Sequence, residues 1–362
     1  MKNYVKFNPT NKSLFFPTLK QRVDDYFKIK NISRHANTSM VIKTIILLSG
    51  YILPFIYILS YNPTFGISTM LWAVMGLSIA GIGMSVMHDA NHGAYSSSEW
   101  VNKLLGNTLT LIGGSVDNWK VQHNLLHHTF TNVVHQDDDI SDKFVLRFSP
   151  HTEVKWFHKY QYIYAFFFYG LQTLFWVLVK DFLQFNRYVI KGEQKWFTLT
   201  KLLLSKIIYF FVILVMPVLF FDIPILHVAT GFLVMHFFSG LILTVIFQLA
   251  HTVEGTTHPL PNEKNEIKND WAIHQMNTTV DFAPKNQFLS WYIGGLNFQV
   301  EHHLFTKICH IHYPEISKIV QQTATEFDIP YLVNEKFSDA LMAHVNALKR
   351  FGKEEAELSV LK

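Results

Sequence analysis

Seven histidines fall into three short groups: His88-Asp-Ala-Asn-His92, His123-Asn-Leu-Leu-His127-His128 and Gln299-Val-Glu-His302-His303. Each group sits at the end of an apolar segment. Residues four apart on a continuous helix project from one face on successive turns, so His88 with His92 and His123 with His127 form pairs aimed the same way. His128 adds a nitrogen at an adjacent angle, and Gln299 lies one turn before His302 and His303. An eighth imidazole, His251, directly follows another apolar run. So many neutral nitrogen donors at these spacings indicate a metal site. One ion takes about six such ligands, so eight imidazoles and one amide oxygen call for two ions. Imidazole suits zinc, copper, iron and nickel, and ligand type alone does not choose among them.

The elements that must gather these groups are apolar helices. The chain has 362 residues, 49% hydrophobic and only 16% charged, against roughly 25% charged in a soluble domain. Crossing a bilayer takes about 20 helical residues, and residues 40–61, 64–87, 197–221 and 223–250 meet that requirement. Pro54 and Pro217 interrupt two of them, which membrane helices tolerate. Only Asn62-Pro63 joins the first and second, and only Asp222 the third and fourth. The expected fold is therefore an all-α integral membrane protein, with four transmembrane helices in two hairpins and a cytoplasmic helical cap holding a dimetal site.

Neither hairpin tip carries a lysine or arginine. The basic residues lie in the N-terminal arm, the central connection and the C-terminal third, or near the starts of the first and third spans (Lys43, Lys201, Lys206). By the positive-inside rule, both termini and the central loop are expected in the cytoplasm. That topology carries all three clusters and His251 to one face. Residues 104–116 read as a partly inserted or cap-packed helix. The aromatic stretch 162–179 reads as an interfacial helix, with a fifth and sixth span as the alternative. After Pro314, the spacing of Ile316, Ile319, Val320, Ala324 and Phe327 predicts an amphipathic helix. The expected organisation is an N-terminal arm over 1–39, a single membrane domain over 40–350 and a polar tail over 351–362. The basic, polar N-terminus has no signal-peptide pattern. The lone Cys309 excludes an intramolecular disulfide and reads as a buried thiol. With a net charge of +4, no nucleic-acid partner is expected.

A metal pair at the mouth of a membrane-embedded body has access to acyl chains. Oxygen activation by two irons is the chemistry that breaks an unactivated C–H bond, whereas zinc polarises or hydrolyses, and no ester-cleaving nucleophile motif is present. His-Asp-x-x-His, His-x-x-x-His-His and Gln-x-x-His-His, in this order and with four spans, resemble the boxes of the membrane fatty acyl desaturases. Gln299 in Asn297-Phe-Gln-Val-Glu-His-His-Leu-Phe305 resembles the front-end branch, which places delta-5 or delta-6 double bonds. Residues 129–140 and 271–284 are similar to that family too, and the resemblance runs from about residue 7 to 331. It implies a diiron centre, O2, two electrons from a separate carrier, and metal binding by His251, His302 and His303. The His-Pro-Gly-Gly signature of a fused cytochrome b5 is absent, so an external donor of ferredoxin or cytochrome b5 type is expected.

The expected ligands are thus His88, His92, His123, His127, His128, His251, His302 and His303. Gln299 is a candidate ligand or a support for one, as are His274 and Asp89. Asp137-Asp138-Asp139 are candidates to orient histidines through their second ring nitrogens, and Glu301 is a further one. His227 and His236, inside the fourth span, read as neutral histidines hydrogen-bonded between helices. The expected activity is insertion of a cis double bond into an acyl-CoA or acyl-lipid. A diiron hydroxylase and a non-catalytic membrane metal-binding protein are the rivals. The expected location is a bacterial inner membrane.

Overall fold

Each of the four apolar segments forms a helix in the computed structural model, which describes residues 5–10, 12–140, 144–188 and 193–353. The four run over Thr38–Tyr61, Phe65–Asn91, Lys195–Phe220 and Ile225–His251, each long and apolar enough to cross a membrane. The chain divides into two compact units. One comprises Ala36–Val121 and Phe166–Val245; the other comprises Met1–His35, Gln122–Ala165 and Ile246–Lys362.

The first unit holds most of the apolar helix. Asn37 opens the first span, its side chain accepting the Met40 amide at 3.1 Å, a cap of the kind worth about 1 kcal/mol. Asn62 and Asp222 follow the first and third spans with φ of 40° and 50°, a left-handed turn that Asn and Asp tolerate better than most residues. Small residues let the helices approach closely. A Cβ on Gly76 would lie 2.5 Å from the Met235 carbonyl oxygen, and one on Gly231 would lie 2.1 Å from the Trp72 ring.

Residues 104–116 are not one helix. They are split among Glu99–Gly106, Thr108–Leu111 and the start of Val116–Trp119, because Gly113 turns the chain at φ 90°. The aromatic stretch forms a bent pair, His158–Gly170 and Gln172–Tyr188, at 57°. At the bend, a Cβ on Gly170 would strike the Phe237 ring at 2.3 Å.

Several buried polar groups of this unit find partners inside it. Lys206 Nζ lies 2.6 Å from Asp181 Oδ2 and 2.6 Å from the Gly113 carbonyl. Asp181 also accepts from the Ser115 amide at 3.1 Å and from Trp176 Nε1 at 3.0 Å. His236 meets Tyr209 at 2.8 Å and Thr173 at 3.2 Å, bridging helices as its intramembrane position suggests. His227 differs: its ring lies against Phe65 at 5.3 Å, and its Nδ1 makes no hydrogen bond among the described residues.

The second unit has its own core. Phe15, Leu19, Val23 and Phe27 recur every four residues along the helix Phe15–Lys30, and all are buried. They pack with Ile316, Val320 and Ala324 of Tyr313–Glu326 and with Val300 and Leu304 of Gln299–Leu304. Tyr313–Glu326 is the amphipathic helix expected after Pro314. Cys309 is buried as a free thiol. Two short parallel strand pairs depart from an all-helical chain: Lys6–Phe7 with Glu266–Ile267, and Asp281–Phe282 with Val333–Asn334. The buried Arg147 donates to the carbonyls of Thr152 at 2.8 Å and Pro150 at 2.7 Å, and to that of Phe351. It thereby holds the end of the helix Phe337–Phe351. The expected polar tail lies outside the described residues from residue 354 onward.

Candidate metal centre

The second histidine cluster is not wound as an α-helix. Lys120–His127 forms a π-helix, whose i→i+5 hydrogen bonds give each turn roughly one residue more than the α-helical 3.6. A turn of about that length keeps His123 and His127 on one side and brings His128, five residues on, close to the same side. His128 Nε2 lies 3.3 Å from His123 Nε2. An α-helix would turn His128 well away, so the extra residue per turn is what makes all three imidazoles neighbours.

Long-range packing then brings in the others. His251 is the last residue of the fourth apolar helix. Its carbonyl is held by Asn132 Nδ2 at 3.0 Å and by the Thr256 hydroxyl at 2.9 Å. His302 and His303 lie on the short helix Gln299–Leu304, every residue of which is buried. One ring nitrogen from each of His127, His251 and His303 lies within 4.8 Å of the other two. The His128 ring lies 4.6 Å from that of His302 and 4.5 Å from that of His303.

The second nitrogen of five of these rings, those of His123, His127, His251, His302 and His303, is held from behind. His127 Nδ1 faces Asp137 at 2.9 Å, and His123 Nδ1 faces Asp139 at 3.1 Å. Asp137 also accepts from the Asn132 amide at 3.0 Å, and Gln122 donates to Asp139. His303 Nδ1 faces Gln275 Oε1 at 2.9 Å, His251 Nδ1 the Thr278 carbonyl at 3.3 Å, and His302 Nδ1 the Tyr313 hydroxyl at 3.4 Å. Burial opposes charge on His127, but the neighbouring Asp137 outweighs it and lifts its pKa above the ordinary histidine value.

His127 Nε2 and His251 Nε2 are buried and make no hydrogen bond among the described residues. An unmet buried polar group costs about 1–3 kcal/mol. Two such lone pairs converging with His303, their opposite nitrogens already held, fit a transition-metal ion. The residues present therefore suit iron.

His88 and His92 belong to the unit that holds most of the apolar helix. Their rings lie 4.7 Å apart, and the Trp119 ring lies 5.8 Å from His88 and 5.7 Å from His92. The helix Met87–Asn91 that carries His88 follows a π-helical turn over Ile82–Val86. The Asp89 carboxylate lies 3.9 Å from His88 Nδ1, beyond hydrogen-bond length.

The family model for fatty acid desaturases matches residues 41–334. The chain belongs to the fatty acid desaturase family. The desaturase is 36% identical to the sn-1 linoleoyl-lipid 6-desaturase of Arthrospira platensis, covering 93% of this chain and 92% of that one. It is 35% identical to the sn-1 linoleoyl-lipid 6-desaturase of a Synechocystis strain, covering 96% and 98%. It is 36% identical to the acyl-lipid (8-3)-desaturase of Physcomitrium patens, covering 95% and 73%. The protein is thus an oxidoreductase, an integral membrane fatty acyl desaturase with histidine clusters suited to the iron that this family uses.

Some supporting residues escaped the sequence. Asp137 and Asp139 did not: offered by the sequence as candidates to orient histidines, they hold His127 and His123. In the helix Trp271–Thr278 the sequence pointed to His274, yet Gln275 is the residue that reaches His303. His274 is not among the clustered nitrogens; its ring packs on Phe7 at 5.0 Å, and burial pushes its pKa down to about 4. Among the described residues, Glu301 makes no hydrogen bond to a histidine. It lies 3.2 Å from the Tyr331 hydroxyl, which donates to Asp281 at 2.5 Å, while Asp281 accepts the Val300 amide at 3.0 Å. Burial and the nearby Asp281 charge push Glu301 well above the carboxylate range. Both effects favour the protonated form of Glu301, on the same short helix as His302 and His303. Tyr331 lies some 30 positions beyond Glu301, and no local spacing signals that pairing.

Proposed function

We propose that the desaturase inserts a cis double bond near the carboxyl end of a lipid-linked polyunsaturated acyl chain. Two irons would be held by His88, His92, His123, His127, His128, His251, His302 and His303. The observation that carries this reading is the convergence of His127, His251 and His303 nitrogens within 4.8 Å, each ring fixed from behind. The relatives support a lipid-linked substrate and front-end chemistry, since two are linoleoyl-lipid 6-desaturases.

Iron in this site supplies the means to reduce O2 with two external electrons and two protons, removing two hydrogens from adjacent methylenes and yielding two waters. The protein's own part is positioning. Asp137 and Asp139 hold His127 and His123 with their Nε2 atoms facing inward. Burial keeps bulk water from the cluster. Gln299, buried at the start of the third-cluster helix, and Asp89 belong to the proposal as a ligand or as supports for one.

The remaining parts rest on the short links between spans, the placement of the basic residues and the missing His-Pro-Gly-Gly signature. The two pairs of spans form hairpins under a helical cap, within one membrane domain over 40–350 flanked by the arm 1–39 and the tail 351–362. Both termini and the metal site face the cytoplasm of a bacterial inner membrane, where a separate ferredoxin or cytochrome b5 delivers electrons.

The test is expression in a host that lacks polyunsaturated lipids, with defined fatty acids supplied, followed by mass spectrometry of intact lipids and location of the new double bond. A product lighter by two hydrogens, unsaturated at carbon 5 or 6 and found first in glycerolipid, is expected. A product heavier by one oxygen overturns desaturation, and a product found first on CoA overturns the lipid-linked substrate.

A further inference from the structure

The third cluster is held differently from the second. His127 and His123 face carboxylates, but His303 Nδ1 faces a neutral amide oxygen, Gln275 Oε1, at 2.9 Å. Gln275 is fully buried. Its same oxygen lies 2.8 Å from the Thr131 hydroxyl, which lies 2.7 Å from the His127 carbonyl and 3.2 Å from His303 Nδ1. Gln275 therefore sits where the second and third clusters meet. Its own helix is fixed at the start by Asp270, whose side chain accepts the Ala272 amide at 3.0 Å.

An amide oxygen accepts hydrogen bonds and cannot donate them. With the amide oriented in this way, its Nε2 making no hydrogen bond among the described residues, His303 Nδ1 carries the proton and leaves the Nε2 lone pair for the cluster. We infer that Gln275 is a positioning residue: it fixes the tautomer and ring plane of His303 and, being uncharged, makes His303 a weaker electron donor than His127 or His123. The inference rests on the reading of His303 as an iron ligand. Its physical basis is that a partner behind a ligating histidine sets both ring orientation and basicity, and a carboxylate draws on the ring proton more strongly than an amide does. Thr131 carries the same constraint to the backbone of His127, so the two clusters are oriented through one amide.

Two substitutions separate orientation from electron donation. Gln275→Leu keeps the approximate bulk and removes the acceptor; Gln275→Glu keeps the acceptor and adds charge. The full-length protein is purified in detergent and loaded with iron or, separately, with cobalt(II). Release to a chelator and the cobalt ligand-field spectrum are then measured beside His303→Asn. Gln275→Leu is expected to release iron about tenfold faster or more. Gln275→Glu is expected to hold iron about as well as the native chain while shifting the cobalt bands and lowering the iron reduction potential. A role in packing alone would not shift the spectrum of the Glu variant. If His303→Asn loses metal while both Gln275 variants match the native protein in release and spectrum, the inference fails and the ligand reading stands. If His303→Asn keeps native metal content, both fail. Should the Leu variant not fold, an unchanged spectrum in the Glu variant overturns the inference.

Discussion

Two buried polar regions of this chain obey opposite rules. In the unit that holds most of the apolar helix, Asp181 and Lys206 close on each other at 2.6 Å, with Ser115, Trp176 and the Gly113 carbonyl as further partners. In the histidine cluster the outward nitrogens of His127 and His251 are partnered, yet their Nε2 atoms have no hydrogen bond among the described residues. A network that satisfies itself holds helices together; one that leaves lone pairs converging is built for something added. Burial and polarity alone would not tell the two apart. The direction in which the unmet atoms point does.

The difference can be broken at either end. His127→Ala should produce the largest loss, with activity falling by at least about a hundredfold and iron content falling with it, since a ligand matters more than the groups supporting it. Iron analysis and acyl-lipid turnover check this, and full activity with native iron would remove the cluster from the chemistry. Asp181→Leu should act on stability instead. Removing one partner of a buried ion pair costs about 3–5 kcal/mol, read as a lower unfolding temperature in detergent. The double variant Asp181→Leu/Lys206→Met should recover part of that loss. Iron per folded chain should stay at the native level in both, and a loss of iron there would mean that the closed network also shapes the metal site.

The same contrast explains what the sequence could say. The four spans, the clusters and His251 were readable because they depend on local composition and short spacings. Even so, the α-helical reading of His123 and His127 missed the π-helix that draws in His128, since the spacing of His123 and His127 alone fits either winding. Asp137 and Asp139 could be named as candidates, but a solvated acidic loop has the same sequence. Gln275 was passed over for its neighbour His274 because histidine advertises chemistry and glutamine does not. One position along a helix is about 100° of rotation, and only packing decides which neighbour faces the site. Tyr331 beneath the third cluster depends on a two-residue strand pairing, which no periodicity announces.

A smaller effect should separate the two carboxylates behind the second cluster. Asp137→Asn keeps size but weakens the pull on His127, so iron affinity or activity should drop by about 10–100-fold. Asp139→Asn should fall at the low end of that range, because the Asp139 side chain is 14% exposed while that of Asp137 is fully buried. Water can take over part of the role of Asp139. Equal losses in chelator-release rates would mean that burial does not grade these supports.

The smallest effect should come from a histidine in the same unit that is closed in upon the backbone. His344 is fully buried, with Nδ1 2.7 Å from the Thr252 carbonyl. Burial pushes its pKa down to about 4, while an unfolded histidine titrates near 6.5. Between those values the unfolded chain binds the extra proton and the folded chain does not, so stability decreases as the pH is lowered. The contribution of His344 is complete above about pH 6.5 and is lost as pH falls toward about 4. His344→Gln should flatten the dependence of unfolding temperature on pH across that window, leaving iron content at neutral pH unchanged. A slope identical to the native one would place the acid sensitivity elsewhere. A loss of iron at neutral pH would show that even this closed histidine helps to aim the open ones.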